Sequence, residues 1–206
     1  MEMNDLQKRI IDISYAQGLS HLGSCLTCVD IIDSIYGMKK KDEKFVLSCG
    51  HAHLAHLVVR EKYKGYKIGK IHDIHCNTKD GCDVPTGSLG SGLPIAVGMA
   101  FSDRNKAVYC VISDGESFEG SVWESINIAA ELQLKNLIIV VNANGWSAYK
   151  AVDQDRLLNK LNSFVLNGCP KIAFVRTQPP KWDFLTDPLE AHYKVLSKEE
   201  YEKVIS

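Results

Sequence analysis

The chain has 206 residues, enough for one well-buried domain and too few for two of ordinary size. With 45% apolar residues, 24% charged residues and a formal net charge of −1, it has the profile of a globular protein and lacks the basic field that would draw nucleic acid or an anionic membrane. A phosphate-bearing ligand would have to be held by local donors or a metal ion. No run approaches the roughly 18 apolar residues of a membrane span, and the polar stretch Met1 to Asp12 does not resemble a signal peptide, so a cytoplasmic protein is expected.

In chain order, apolar residues at helical spacing (Leu6, Ile10, Ile13) predict a helix from Leu6 to Gln17, stopped by Gly18. A second helix is expected over Cys25–Tyr36, a short strand over Lys44–Ser48 and a third helix over Ala52–Tyr63. Residues 67–85 show little periodicity and read as loop. Gly92–Phe101 is an apolar helix entered through a glycine-rich turn. Ala107–Ile112 is a continuous apolar run, as in a parallel strand buried on both faces. Glu119–Leu132 is expected to be helix and Asn136–Val141 a second buried strand. Asp155–Val165 then reads as helix, Lys171–Val175 as strand and Ser197–Val204 as a terminal helix with a possible Ser197/Glu200 capping box. Strands alternating with helices predict a single α/β domain, residues 1–206, around a mostly parallel sheet.

The seven cysteines are scattered and odd in number, which favours free thiols in a reducing compartment. Cys25 and Cys28 form a CxxC, and His51, His75, Cys76 and Cys82 invite a zinc reading. A structural zinc asks for a second closely spaced pair, and Cys76/Cys82 fit that poorly, so buried thiols are the expectation. His53 and His56 are expected on the helix surface.

The most informative stretch runs from Val108 to Trp146. A strand ends in Ser113-Asp114-Gly115, a helix follows, and a second strand ends in Asn142-Ala143-Asn144. This is the size of a βαβ unit, whose crossover is almost always right-handed. Its strands run parallel, so Asp114 and Asn144 emerge together at the carboxyl edge, where open α/β sheets bind ligands. One carboxylate with neutral oxygens suits a partial Mg2+ shell, which is usually completed by phosphate oxygens and water. Gly115 permits a tight turn, and the helix beginning near Glu119 offers free N–H groups.

Asp-Gly, a helix, and Asn at thirty residues is the diphosphate–metal motif of thiamine diphosphate enzymes, and the wording from Asp114 to Gly145 resembles transketolases. That resemblance implies a three-layer thiamine diphosphate-binding fold. Asp114 and Asn144 would be side-chain ligands of Mg2+ (or of Ca2+ or Mn2+ in its place), and the Trp146 carbonyl the third. Gly115 and Glu116 would adjoin the cofactor. Glu119 matches a glutamate that in the family links paired active sites across a subunit interface. Ser113 and Asn142 depart from the family's glycine and aspartate without removing a ligand.

Supporting segments carry the same resemblance. Thr86 to Gly92 is similar to the family's Thr-Gly-Ser-Leu-Gly-x-Gly, implying cofactor contacts at Gly87, Ser88 and Leu89. Ser20 to Ser24 and Phe45 to Ala52 resemble segments whose histidines line the substrate channel, here His21 and His51. His75 takes the place of a third channel histidine, and His192, in Ala191-His192-Tyr193-Lys194, that of one near the diphosphate.

Between Ala151 and Phe174 the family's additional strand–helix portion is missing, so a trimmed domain is expected. The pyrimidine-binding domain does not fit in this length. The resemblance therefore implies a split transketolase half, self-associating and paired with a separate pyrimidine-binding subunit, that transfers a two-carbon ketol unit between sugar phosphates. The alternatives are a related carboligase of the deoxyxylulose-phosphate synthase kind and a non-catalytic cofactor- or partner-binding module.

Overall fold

The computed structural model describes residues 3–185 and 192–205. Four parallel strands form one sheet in the order β1 (Lys44–Leu47), β2 (Val108–Ser113), β3 (Leu137–Ala143), β4 (Lys171–Arg176). The helices are α1 (Asp5–Gln17), α2 (Leu22–Met38), α3 (His53–Lys64), α4 (Gly92–Ser102), α5 (Gly120–Glu131), α6 (Gln154–Ser163) and α7 (Lys198–Ile205). Helices pack on both faces of the inner strands β2 and β3, whose sequences are therefore largely apolar rather than alternating, whereas no residue of the edge strand β4 is fully buried.

Side-chain alternation divides the core in two. Phe45, Leu47, Val111 and Val140 pack toward α1, α2 and α3. Val46, Cys110, Ile112, Ile139 and Val141 pack toward α4, α5 and α6. Helix ends follow local chemistry. Asn4 and Gln7 make a capping box for α1, and Gly18 closes it in the left-handed region. α7 returns to α1, where Tyr201 stacks on Tyr15 at 4.1 Å and donates to Asp12.

The predicted elements are all present, with shifted bounds. α2 starts at Leu22, three residues earlier than its periodicity suggested, because His21 turns the chain at φ 62° and its carbonyl accepts from the Cys25 amide. A single 3-10 turn, Gly50–Ala52, precedes α3, and another, Asp114–Phe118, precedes α5. Between β3 and β4 there is one helix, in keeping with a trimmed domain.

One expectation is overturned in the fold itself. His53 and His56 lie on the inner face of α3, 0% and 2% exposed, and not on its surface. Polarity suggested an outward face, but Cys76 and Cys82 from the following loop supply buried polar partners on that side.

Candidate active site

β2 and β3 pair in register from Val108↔Leu137 to Ser113↔Asn142, so the residues that follow leave the sheet side by side. Asp114 is fully buried. Its Oδ2 accepts from the Gly145 amide at 2.6 Å and its Oδ1 from the Gly115 amide at 3.0 Å. The Asn144 side chain accepts from the Trp146 amide at 2.9 Å. A Cβ on Gly115 would come within 3.2 Å of Ser147 Cα and 3.6 Å of the Trp146 carbonyl oxygen, so glycine is what lets the two turns close together. Asp114, Gly115, Asn144 and Trp146 thus share one lip. No cationic side chain among the described residues pairs with Asp114, and burial raises its carboxyl to about 6 against the pull of the Gly145 and Gly115 amides.

Above the lip opens a cleft of about 1520 Å3, lined by Gly115, Asn144 and Trp146 together with His21, His51, His75, Gly87, Leu89 and His192. The histidines form a cluster. His21 lies 4.6 Å from His192 and 5.5 Å from His51, ring centre to ring centre, and His51 lies 5.8 Å from His192. The His21 amide donates to the His192 carbonyl at 3.1 Å, tying the C-terminal segment over the start of α2. His21 Nδ1 pairs with the Ser20 hydroxyl at 2.8 Å, and His75 Nδ1 with Asp73 at 2.9 Å. Burial, then the neighbouring histidines, lowers His51 to about 3 and His21 to about 4, and burial also lowers His192. These three are therefore neutral at pH 7, able to donate from one ring nitrogen and accept at the other.

Four expected site residues are not part of the cleft lining: Asp114, which is fully buried beside Gly115, and Glu116, Ser88 and Glu119. Glu116 is fully buried, and its carboxylate accepts from the Ser48 hydroxyl (2.6 Å), the Gly90 amide (2.9 Å) and the Ser113 amide (2.9 Å). It joins the ends of β1 and β2 to the glycine-rich turn, a positioning role, and burial raises its carboxyl. Ser88 is exposed outside the cleft, its carbonyl accepting from the Ser91 amide and hydroxyl. Glu119 occupies the N-cap position of α5 without a side-chain capping hydrogen bond and lies close to Gly90, also outside the cleft lining.

Residues that sequence reasoning passed over also line the cleft. Arg176 ends β4 and Thr177 and Gln178 follow it, and Lys181 and Tyr193 also belong to the lining. The signal for the first three was available: they sit at the carboxyl end of a third parallel strand. Asn142 is buried and links α2, β3 and the exit of β4, donating to Thr27 at 3.1 Å and accepting from Thr177 at 2.6 Å.

A parallel α/β sheet whose carboxyl edge carries a buried carboxylate, a facing amide turn and a histidine-lined cleft defines an open α/β protein with its candidate site where such sheets bind ligands. Comparison with known proteins narrows it. The family profile described as 1-deoxy-D-xylulose-5-phosphate synthase matches residues 2–168. The chain is 34% identical to human transketolase over 166 residues, 68% of this chain and 27% of that protein. It is 33% identical to transketolase-like protein 2 of Bos taurus, covering 68% of this chain and 26% of that one. It is 30% identical to one subunit of the apulose-4-phosphate transketolase of Phocaeicola vulgatus, covering 67% of this chain and 58% of that relative. The chain thus spans about a quarter of the length of the mammalian relatives. In fold it is similar to transketolase from Campylobacter jejuni, with TM-score 0.74 and 20% identity over 99% of this chain and 43% of that one.

The chain belongs to the transketolase N-terminal domain family, the thiamine diphosphate-binding domain that transketolases share with 1-deoxy-D-xylulose-5-phosphate synthases. No helix among the described residues is long and apolar enough to cross a membrane.

Proposed function

We propose that this chain is the diphosphate-binding subunit of a split transketolase, working with a separate pyrimidine-binding chain to move a two-carbon ketol unit from a ketose phosphate to an aldose phosphate. The observation that carries the reading is the contact of the buried Asp114 with the Asn144–Trp146 turn, whose ends line one cleft with four histidines. The Phocaeicola relative, whose name makes it one subunit of a transketolase, supports a divided enzyme.

The residues fit a magnesium–diphosphate group. A buried carboxylate with no cationic partner, an amide oxygen and a carbonyl oxygen at one lip are hard-oxygen donors of the kind Mg2+ takes. Asp114, Asn144 and the Trp146 carbonyl would hold the metal, while Gly87, Leu89 and His192 would adjoin the cofactor. Bound thiamine diphosphate would supply the nucleophilic carbon and the electron sink. The chain's own part is positional. Gly87 is held close by the His75 ring, where a Cβ would approach to 2.9 Å. His21 and His51, neutral at pH 7, would hydrogen-bond donor hydroxyls and carry protons from them. Lys181 in the cleft lining offers positive charge to a phosphorylated sugar, beside Arg176, which is paired with Asp155 at 2.6 Å.

The family profile's description gives a second reading, a carboligase that takes pyruvate in place of a ketose. The native assembly, isolated through a tag on this chain, separates the two. The transketolase reading expects Mg2+-dependent cleavage of ketose phosphates and little turnover of pyruvate. Pyruvate turnover alone would replace it with the second reading. Thiamine diphosphate binding without either activity would reduce the chain to a binding module.

A further inference from the structure

Away from the cleft, α3 and the loop after it bring His53, His56, Cys76 and Cys82 together, all buried, with ligand atoms within 4.8 Å of one another. The geometry points to a closed, four-ligand zinc site formed by the His53 and His56 Nδ1 atoms and the Cys76 and Cys82 thiolates. It is separate from the oxygen-lined lip and does not rest on the thiamine diphosphate reading.

The spacing is that of metal ligands. His53 Nδ1 lies 3.3 Å from Cys76 Sγ and 3.7 Å from Cys82 Sγ, and His56 Nδ1 lies 3.5 Å from Cys82 Sγ. A tetrahedral zinc with ordinary Zn–N and Zn–S bonds keeps such atoms about 3.5 Å apart. Two imidazoles and two thiolates favour zinc over the hard cations that carboxylates and carbonyls select. Both thiols would release their protons on binding, leaving a site of two thiolates around a dication with no net charge.

The surroundings orient the rings as an outer ligand shell does. His56 Nε2 is paired with the Tyr36 hydroxyl at 2.7 Å, and His53 Nε2 with Asp80 Oδ2 at 3.3 Å. Asp80 is itself fixed by Asn77, which donates to Oδ2 at 2.5 Å and accepts from the Asp80 amide at 3.0 Å. Each far nitrogen is thereby occupied, and each Nδ1 is turned toward the sulfurs. Arg60, one turn beyond His56, lies over the Tyr66 ring at 4.6 Å and packs against Gly81, the neighbour of Cys82, which holds the loop to α3 beside the cluster.

The site would also explain how a long loop is held. The chain between Lys64 and Gly92 has neither helix nor strand, well beyond the ~15 residues of an ordinary loop. Zinc would pin it to α3 at two points, one of them next to His75, and so set the edge of the cleft.

The test is the metal content of the full-length chain purified without chelator from zinc-containing medium. We expect about one zinc per chain, retained in Asp114→Ala and reduced at least tenfold in the Cys76→Ser/Cys82→Ser double variant. Because that variant could fail to fold, Co2+ is also exchanged into the wild-type protein, where tetrahedral d–d bands and a thiolate-to-cobalt charge-transfer band are expected. Zinc-free wild-type protein that also shows no such cobalt spectrum would overturn the site. So would full zinc occupancy in a folded double variant, or a Cys76–Cys82 disulfide in protein isolated under reducing conditions.

Discussion

The lip at the ends of β2 and β3 and the His–Cys cluster under α3 both bury polar groups, but they settle them in opposite ways. At the lip, Asp114 is buried with only backbone amides for company and its carboxyl is pushed up to about 6. Under α3 the far ring nitrogens of His56 and His53 pair with Tyr36 and Asp80, and the Glu116 carboxylate accepts from Ser48, Gly90 and Ser113. The first arrangement is unfavourable until a cation arrives, and the second holds segments together. Buried polarity at a cleft, met only by backbone amides, marks a substrate or cofactor site, whereas side chains converging from separate segments mark a structural one, with or without a metal.

Substitutions can break that comparison. Asp114→Asn should weaken Mg2+-dependent thiamine diphosphate binding by the native assembly at least about 100-fold, since losing a ligand costs more than losing its outer-shell support. In the metal-free protein the same change should move the melting temperature little: the carboxyl's folded value lies above its ordinary 3.8, so the neutral amide escapes an ionisation cost, but it can accept from only one of the Gly145 and Gly115 amides. Calorimetry on both states checks the pair, and a large drop in melting temperature would put Asp114 with the scaffold.

Glu116→Ala should do the reverse. Stranding the donors of Ser48, Gly90 and Ser113 should cost about 3 kcal/mol, roughly 6–12 °C in Tm for a chain of this size. Cofactor affinity should fall only in proportion to the unfolded fraction.

Two glycines of α4 sharpen the scaffold side. A Cβ on Gly92 would come within 2.6 Å of Ser48 Cα, which is backbone, so Gly92→Ala should cost about 1–3 kcal/mol. A Cβ on Gly98 would meet nothing within 4 Å, so Gly98→Ala should stabilise by about 0.5–1 kcal/mol. Thermal melts of both variants should move in opposite directions.

The smallest effect is in pH. His21 and His51 have folded values of about 4 and 3 against an ordinary 6.5, so the unfolded chain takes up their protons first. Stability should decline as pH falls from about 6.5 toward 4. The slope in that window should be shallower in His51→Asn, as pH-dependent denaturant melts would report.

The fold was largely legible because the apolar runs of β2 and β3 and the helical spacing of α1, α3 and α5 are local signals. The lip was legible for the same reason: one βαβ unit contains Asp114, Gly115, Asn144 and Trp146, and parallel pairing alone brings them together. The His–Cys cluster was not. His53 and His56 look like surface residues until the loop carrying Cys76 and Cys82 folds over them, and no periodicity predicts that closure. The hydrogen bonding of Glu116 was not legible because its partners, Ser48 and Gly90, lie 68 and 26 residues away. Its neighbour Asp114 faces the ligand lip, and adjacency in sequence does not tell the two carboxylates apart.

The central claim is that the lip between β2 and β3 grips a divalent cation together with a diphosphate. Crystals of the native assembly grown with Mn2+ and thiamine diphosphate test it directly through the anomalous signal of manganese. The account predicts a peak within bonding distance of the Asp114 carboxylate, the Asn144 side-chain oxygen and the Trp146 carbonyl, continuous with the diphosphate. Diphosphate bound elsewhere in the cleft, with no manganese at Asp114, would contradict it.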